Sequence, residues 1–259
     1  MSASSPVSPT RRERTRAATV AEIKDVALRQ MHESGTTDVR FSDIAREMGM
    51  TAPALYRYYA GSEELLTALI VDAYDHLGAA VSEARDQHRV DDLWGRLFAT
   101  CQAYRDWARQ EPQQFALIFG MPVAGYCAPD DGPTTEAAKR AMGQLQTTFL
   151  DAARLGQLEP PLMDHADEAF VAGINAAHKD DHLMAGAWSE DDRSTVAAAL
   201  TPVVFQAMLH FWAALHGFVS LDAYGHLDWL GPDAREALFR SGIQQAARSA
   251  GLPEPSRAG

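Results

Sequence analysis

SDIAREMGMTAPALYRYY occupies residues 42–59 and sets two short amphipathic segments on either side of one glycine. Ser42 can cap a helix whose inner face is Ile44, Ala45 and Met48. Gly49 breaks that helix after about two turns. Thr51 can cap a second helix, with Pro53 in the first turn, where a missing N–H costs nothing. Leu55 falls on the inner side with Ile44 and Met48, and Tyr56 and Arg57 point outward. Of Tyr58 and Tyr59, one closes the small core and the other reaches out with its hydroxyl, since a tyrosine ring packs while its tip stays polar. Two short helices across a glycine-containing turn, with a third helix before them, make a helix-turn-helix unit whose second short helix enters the DNA major groove. On pattern alone the alternative is a plain helical hairpin with aromatic filler.

Upstream, Thr15 to Glu33 reads as a helix with Ala18, Ile23, Val26, Ala27 and Met31 on or near one face, ended by Gly35. Before it lies MSASSPVSPTRRERTR, which has no apolar stretch after its basic cluster and so is not a secretory signal. Residues 1–14 are expected to be a disordered basic arm. Downstream, Glu63 and Glu64 sit in the first turn of a long helix reaching about His88. Further helices are predicted over 91–109, 111–119, 135–155, 165–187, 191–224 and 232–250, with GMPVAGYCAPDDGP (120–133) as a loop. No period-two strand pattern appears. The expected fold is all-α: a helix-turn-helix domain over 15–62, a larger helical effector-binding and dimerisation domain over 63–250, and a flexible tail over 251–259.

The net charge of −12 argues at first against nucleic acid, but its distribution does not. Residues 1–60 hold nine Lys/Arg against seven Asp/Glu, a balance of +2, and the acidic excess lies wholly beyond them. Four arginines (Arg11, Arg12, Arg14, Arg16) fall within six positions. No apolar run is read as reaching the length of a membrane span, so no membrane partner is expected. The two cysteines, Cys101 and Cys127, are far apart and read as reduced thiols of a cytoplasmic protein.

The segment from Thr15 to Ala73 resembles the DNA-binding domain of TetR-type transcriptional repressors. The match is carried by the first helix ending at Gly35, FSDIAREMGMT (41–51), APALYRYY (52–59) and EELL (63–66). These follow the family's IA-x-x-x-G-V-S turn and LY-x-(H/Y)-F closing helix. The resemblance implies that Thr51, Ala52, Pro53, Ala54, Tyr56 and Arg57 lie on or beside the groove-facing surface, and that Ser42 and Tyr58 contact phosphates. Arg57 is the expected base reader, because a guanidinium can grip guanine O6 and N7 together. The family often has a lysine at the start of its fourth helix. Here Ser62 stands in that place, able to donate one hydrogen bond beside a helix N-terminus.

FGMPVAGYCAP (119–129) and FWAALHGFVSLD (211–222) resemble one branch of the family with a Trp-x-x-x-His-Gly signature, here Trp212, His216 and Gly217. The helix around them is apolar nearly all round. With the family's four-helix dimer interface in view, Phe205, Met208, Leu209, Trp212, His216 and Val219 are expected at a dimer interface with Leu238 and Ile243 of the last helix. Trp94, Phe98, Cys101, Tyr104, Phe119, Tyr126 and Phe149 are the candidate walls of an effector pocket for an apolar or aromatic small molecule. The function implied is a DNA-binding transcriptional regulator, a repressor released from a palindromic double-stranded DNA operator by that effector.

HKDDH (178–182) puts His178 and His182 four apart on one helix face, a metal-ligand spacing. This keeps a second reading open, a helical metal- or ligand-binding protein or hydrolase. No HExxH, nucleophile elbow, P-loop or GxGxxG is present, so no catalytic residue, metal ligand or cofactor is assigned and the chain reads as a non-enzyme.

Overall fold

The computed structural model describes residues 10–37, 39–120, 126, 132–163, 165–179 and 201–252, and these are helical with no strand among them. In chain order the helices are α1 (Arg11–Ser34), α2 (Phe41–Glu47), α3 (Ala52–Leu55), α4 (Ser62–Asp86), α5 (Leu93–Gln110) and α6 (Pro112–Phe119). They continue with α7 (Pro133–Arg154), α8 (Glu168–Lys179), α9 (Pro202–Ala223) and α10 (Pro232–Ser249). Two compact units result, Met1–Ile70 with Gln113–Ala128, and Val71–Pro112 with Pro129–Gly259. The division falls inside α4, not at Ser62, and takes α6 with the first unit.

The first unit is built on α1. The expected arm over 1–14 is corrected at its end, residues 1–9 lying outside the described residues: α1 begins at Arg11, behind a capping box in which Thr10 Oγ1 accepts the Glu13 N–H and Glu13 accepts the Thr10 N–H. The arginine cluster is therefore the first turns of a helix. Ile23, Val26, Ala27 and Met31 form the buried face. Gly35 ends the helix at φ 67°, the left-handed conformation that glycine adopts without a Cβ penalty. α1 is fastened to α2 by Glu47, which accepts from Arg29 Nε at 3.0 Å and Gln30 Nε2 at 2.6 Å. Those hydrogen bonds, Gln30 first, hold the Glu47 carboxyl below its usual pKa.

The second unit is a helical bundle. α5 packs between α7 and α9, and α9 pairs with α10 across the turn 224–231. Its interior holds Leu77, Val81, Leu97, Tyr104, Phe149, Leu215, Val219, Phe239 and Ile243 among its buried side chains. α4 and α7 touch closely: a Cβ added at Gly78 would meet Ala141 Cα at 3.5 Å. Arg85 near the end of α4 donates to the Gln144 carbonyl at 3.1 Å and to Gln144 Oε1 at 2.9 Å.

Several boundaries differ from expectation for local reasons. Ser42 lies inside α2, whose cap residue is Arg40. Thr51 occupies the cap of α3 without a side-chain hydrogen bond. α9 starts at Pro202 behind Thr201, whose hydroxyl accepts the Val204 N–H at 3.4 Å, so the helix does not run back through that position. Gly251 and Leu252, placed in the tail, are buried, and the Glu159 N–H donates to the Gly251 carbonyl at 2.8 Å. By length and composition α4 and α9 are apolar enough to cross a membrane, which corrects the sequence reading. Their buried stripes, Leu65, Leu69 and Leu77 in one and Leu215 and Val219 in the other, are covered by the chain itself.

Candidate nucleic-acid interface and effector cavity

α2 and α3 meet at Gly49. Its φ of 64° turns the chain so that the Met50 N–H donates back to the Ala45 carbonyl at 2.8 Å. This fixes the second segment across the first. Ile23, Ile44 and Leu55 are fully buried, and Tyr59 closes the same core at 7% exposure. Tyr59 is thus the inward tyrosine of the pair. Tyr58 is half-buried, with the Arg16 guanidinium 5.4 Å above its ring. That contact brings the first turns of α1 to the end of the reading segment. Tyr56 is 58% exposed and its ring lies 5.2 Å from Phe41.

Ser42, Thr51, Pro53, Arg57 and Ser62 are exposed, and Ala52 and Ala54 are half-buried. The turn brings these residues together with Tyr56 and Tyr58 on one small unit. α3 itself is only Ala52–Leu55, followed by a turn, so Tyr56 and Arg57 stand just beyond its regular part. Glu64 in the first turn of α4 accepts the Ala60 N–H, which fixes the approach to Ser62. Sequence reasoning assigned no contact between Arg16 and Tyr58. Cation–aromatic pairing across helices leaves no local pattern.

The expected effector walls divide differently. A cavity of about 330 Å³ lies among α5, α7 and α9 of the second unit. α5 contributes Leu97, Thr100 and Cys101, and α7 contributes Met142, Leu145 and Phe149. Phe205, Met208, Phe211, Trp212 and Leu215 of α9 close it, and Thr135, Lys139 and Gln146 add polar groups. Of the seven candidates only Cys101 and Phe149 line it. Burial pushes the Cys101 thiol well above its ordinary pKa, so it serves as a small apolar wall. Trp94 and Phe98 stack on each other at 5.5 Å, and Arg240 lies 5.7 Å over Phe98. Tyr104 is fully buried and its hydroxyl meets His216 Nδ1 at 2.7 Å. Phe119 and Tyr126 belong to the first unit, where Phe119 packs 5.5 Å from Phe115 and the Tyr126 hydroxyl meets Thr67 Oγ1 at 3.0 Å.

Four of the eight expected dimer residues are also corrected. Phe205, Met208, Val219 and Ile243 are buried within their own chain, at 4%, 4%, 0% and 2% exposure. Leu209 and Trp212 line the cavity, and Trp212 stacks on His216 at 5.1 Å. Of the eight, Leu238 alone is exposed. His182 and Cys127 lie outside the described residues, as does the His178 side chain. Among the described residues no group of three or more His, Cys, Asp or Glu is placed to hold a metal ion.

A buried ionic cluster went unread in the sequence. Arg105 donates from Nε to Asp222 and from Nη1 to Glu236, both at 2.7 Å, and Arg235 approaches Asp222 at 3.4 Å. It ties α5, α9 and α10 together.

Residues 97–246 match the family described as tetracyclin repressor-like, C-terminal domain, and residues 23–69 match the bacterial regulatory proteins of the tetR family. The chain belongs to the TetR family. This TetR-family chain is 39% identical over 136 residues to the HTH-type transcriptional regulator Rv1816 of Mycobacterium tuberculosis, covering 52% of this chain and 56% of that one. The chain thus spans about half the length of the curated relatives it matches. Among solved structures it is similar to the regulatory protein SCO4313, at 36% identity and a TM-score of 0.63, covering 92% of this chain and 98% of that one. The TetR family transcriptional regulator PfmR from Thermus thermophilus shares the fold, at a TM-score of 0.51 and 16% identity over 90% of this chain and 99% of that one.

Proposed function

We propose that this TetR-family chain is a DNA-binding transcriptional regulator, a repressor that leaves a palindromic operator when a small molecule occupies the α5–α7–α9 cavity. The observation that carries the proposal is the exposed set Ser42, Thr51, Pro53, Tyr56 and Arg57 at the glycine-turned α2–α3 junction, with Arg16 beside Tyr58. Arg57 reads a base edge, and Ser42, Tyr58 and Ser62 bind phosphates. The regulator works in the cytoplasm, where the DNA is, and acts by binding, with no reaction of its own. Trp212, His216 and Gly217 support its membership of the branch with the Trp-x-x-x-His-Gly signature. The stacked Trp212 and His216 then join the cavity wall to the packing of α5 on α9.

The second copy that a palindromic site requires packs on the outward stripe of α9 and α10. That stripe holds Ala213, Ala214, Gly217 and Leu221 on α9, and Leu238 and Gly242 on α10, all exposed. Leu221 and Leu238 are each 46% exposed. Gly217 and Gly242 have nothing within 4 Å of an added Cβ, so neither glycine serves close packing inside its own chain.

Selection of bound fragments from a random DNA pool tests the reading. The wild-type protein should enrich a two-fold symmetric sequence. Arg57→Ala should relax one base pair per half-site, at about 1–3 kcal/mol of discrimination. Enrichment of no sequence by the wild type would overturn the proposal, and unchanged specificity in the variant would remove Arg57 from the base-reading set.

A further inference from the structure

We infer that the cavity takes an amphiphilic monocarboxylate, an apolar body with a single anionic head held by Lys139. This rests on the proposal that the cavity is the effector site, and it names the chemistry of the ligand. The walls are apolar on all three helices, which favours a hydrocarbon or aromatic body. At about 330 Å³ the cavity is at the small end of ligand sites, enough for one compact chain or ring system.

The polar groups point to the head. Lys139 is the one charged side chain among the described residues that line the cavity, and no carboxylate lines it. Its side chain is 13% exposed, so most of its length is covered by the chain. Its partner is Glu136, 2.9 Å away and three residues earlier, but that carboxylate is 51% exposed and not part of the lining. An ion pair with a half-exposed partner holds little energy and is readily exchanged. A ligand carboxylate arriving from the cavity side would meet the ammonium in a drier setting, where a charge-assisted hydrogen bond is stronger.

Thr100 supplies the second observation. It lines the same cavity at 2% exposure, and its Oγ1 has no hydrogen-bond partner. That hydroxyl has essentially no accessible surface of its own, so a ligand oxygen pairs with it only after a local shift of the wall. The first turn of α7, which holds Thr135, adds a favourable potential for negative charge, since the cap residue Gly132 offers its N–H groups no side-chain acceptor. A cationic head is disfavoured by the same lysine. A neutral head would leave the ammonium with its solvent-facing partner alone.

Titration calorimetry of the full-length protein with decanoate, decanol and decyltrimethylammonium tests the inference, using wild type and Lys139→Met. Methionine keeps the apolar stem and removes the charge. Decanoate should bind wild type at least about tenfold more tightly than decanol, as loss of one charge-assisted hydrogen bond implies. The cation should bind least. In Lys139→Met the preference for decanoate over decanol should vanish while decanol affinity stays the same. Equal binding of decanoate and decanol to wild type would overturn the carboxylate assignment and leave the cavity standing as an effector site. Absence of binding by all three probes, with the protein folded by circular dichroism, would overturn the assignment and the effector reading together.

Discussion

Arg105 is 3% exposed and sits 4.6 Å from the centre of the Phe239 ring, so its charge depends on Asp222 and Glu236. The Asp222 side chain has no exposure at all. Removing one member of such a pair strands the other charge in a dry site. Asp222→Ala should therefore lower stability by about 3–5 kcal/mol, read as the midpoint shift in a urea titration. A loss under about 1 kcal/mol would mean that water reaches the cluster. His216 makes a separate prediction about pH. Burial holds its pKa below the ordinary 6.5. Nδ1 and the Tyr104 hydroxyl share a hydrogen bond across 2.7 Å. The unfolded chain takes up the proton first, so acid favours unfolding. The contribution is complete above about pH 6.5 and is lost as pH falls from there to the lower folded value. The stability gap between wild type and His216→Gln should shrink from pH 7.5 to pH 5.5 in thermal melts. A gap constant over that range would show that His216 keeps one charge state throughout.

At the scale of elements, α1 gains a role its sequence obscured. Arg12 and Arg16 are four apart and share a face of α1, on the side where Arg16 covers Tyr58. Deleting residues 1–14 removes the Thr10–Glu13 box and frays the turn that presents Arg16. It should weaken binding to all DNA sequences about equally and flatten the salt dependence, by about 0.9 in log–log slope for each phosphate no longer neutralised. A truncated protein with the full-length slope would make these arginines bystanders. The α2–α3 junction was legible because its signals are local: a glycine at the turn, a leucine facing in, aromatics at the close. The rotation of α9 was not. A helix apolar on every side has no face that periodicity can single out. Its orientation is set by Asp222, which lies on the same stripe as Leu215 and Val219 and faces Arg105 from a distant helix. An aspartate near a helix end reads as solvated until its partner is known. Trp94, Phe98, Tyr104, Phe119 and Tyr126 lie away from the cavity that Phe149 lines, for a related reason, since a count of rings does not say which share a wall.

For the whole molecule, the proposed pairing of two copies makes two glutamate substitutions on one helix behave differently. Val219 is fully buried, so Val219→Glu should unfold the bundle or leave it strongly destabilised. Gly217 is exposed with open space around it, so Gly217→Glu should leave each chain folded. Across a two-fold axis, however, the new charge meets its own copy. Light scattering should then give the mass of one chain, with circular dichroism unchanged and operator binding lost, because a single reading unit grips only half of a palindrome. A mass of two chains for Gly217→Glu, with operator binding intact, would place the interface elsewhere.

Gly217 and Gly242 also bear on how this sequence drifts. Each is a single base change from alanine, and within a helix alanine is favoured over glycine by about 1 kcal/mol. Nothing inside the chain opposes either change. In a chain that works singly, either alanine would be accepted and would stabilise its helix. Where two chains meet on this stripe, each added methyl enters the contact, so both glycines are expected to be kept despite the helix stability they forgo.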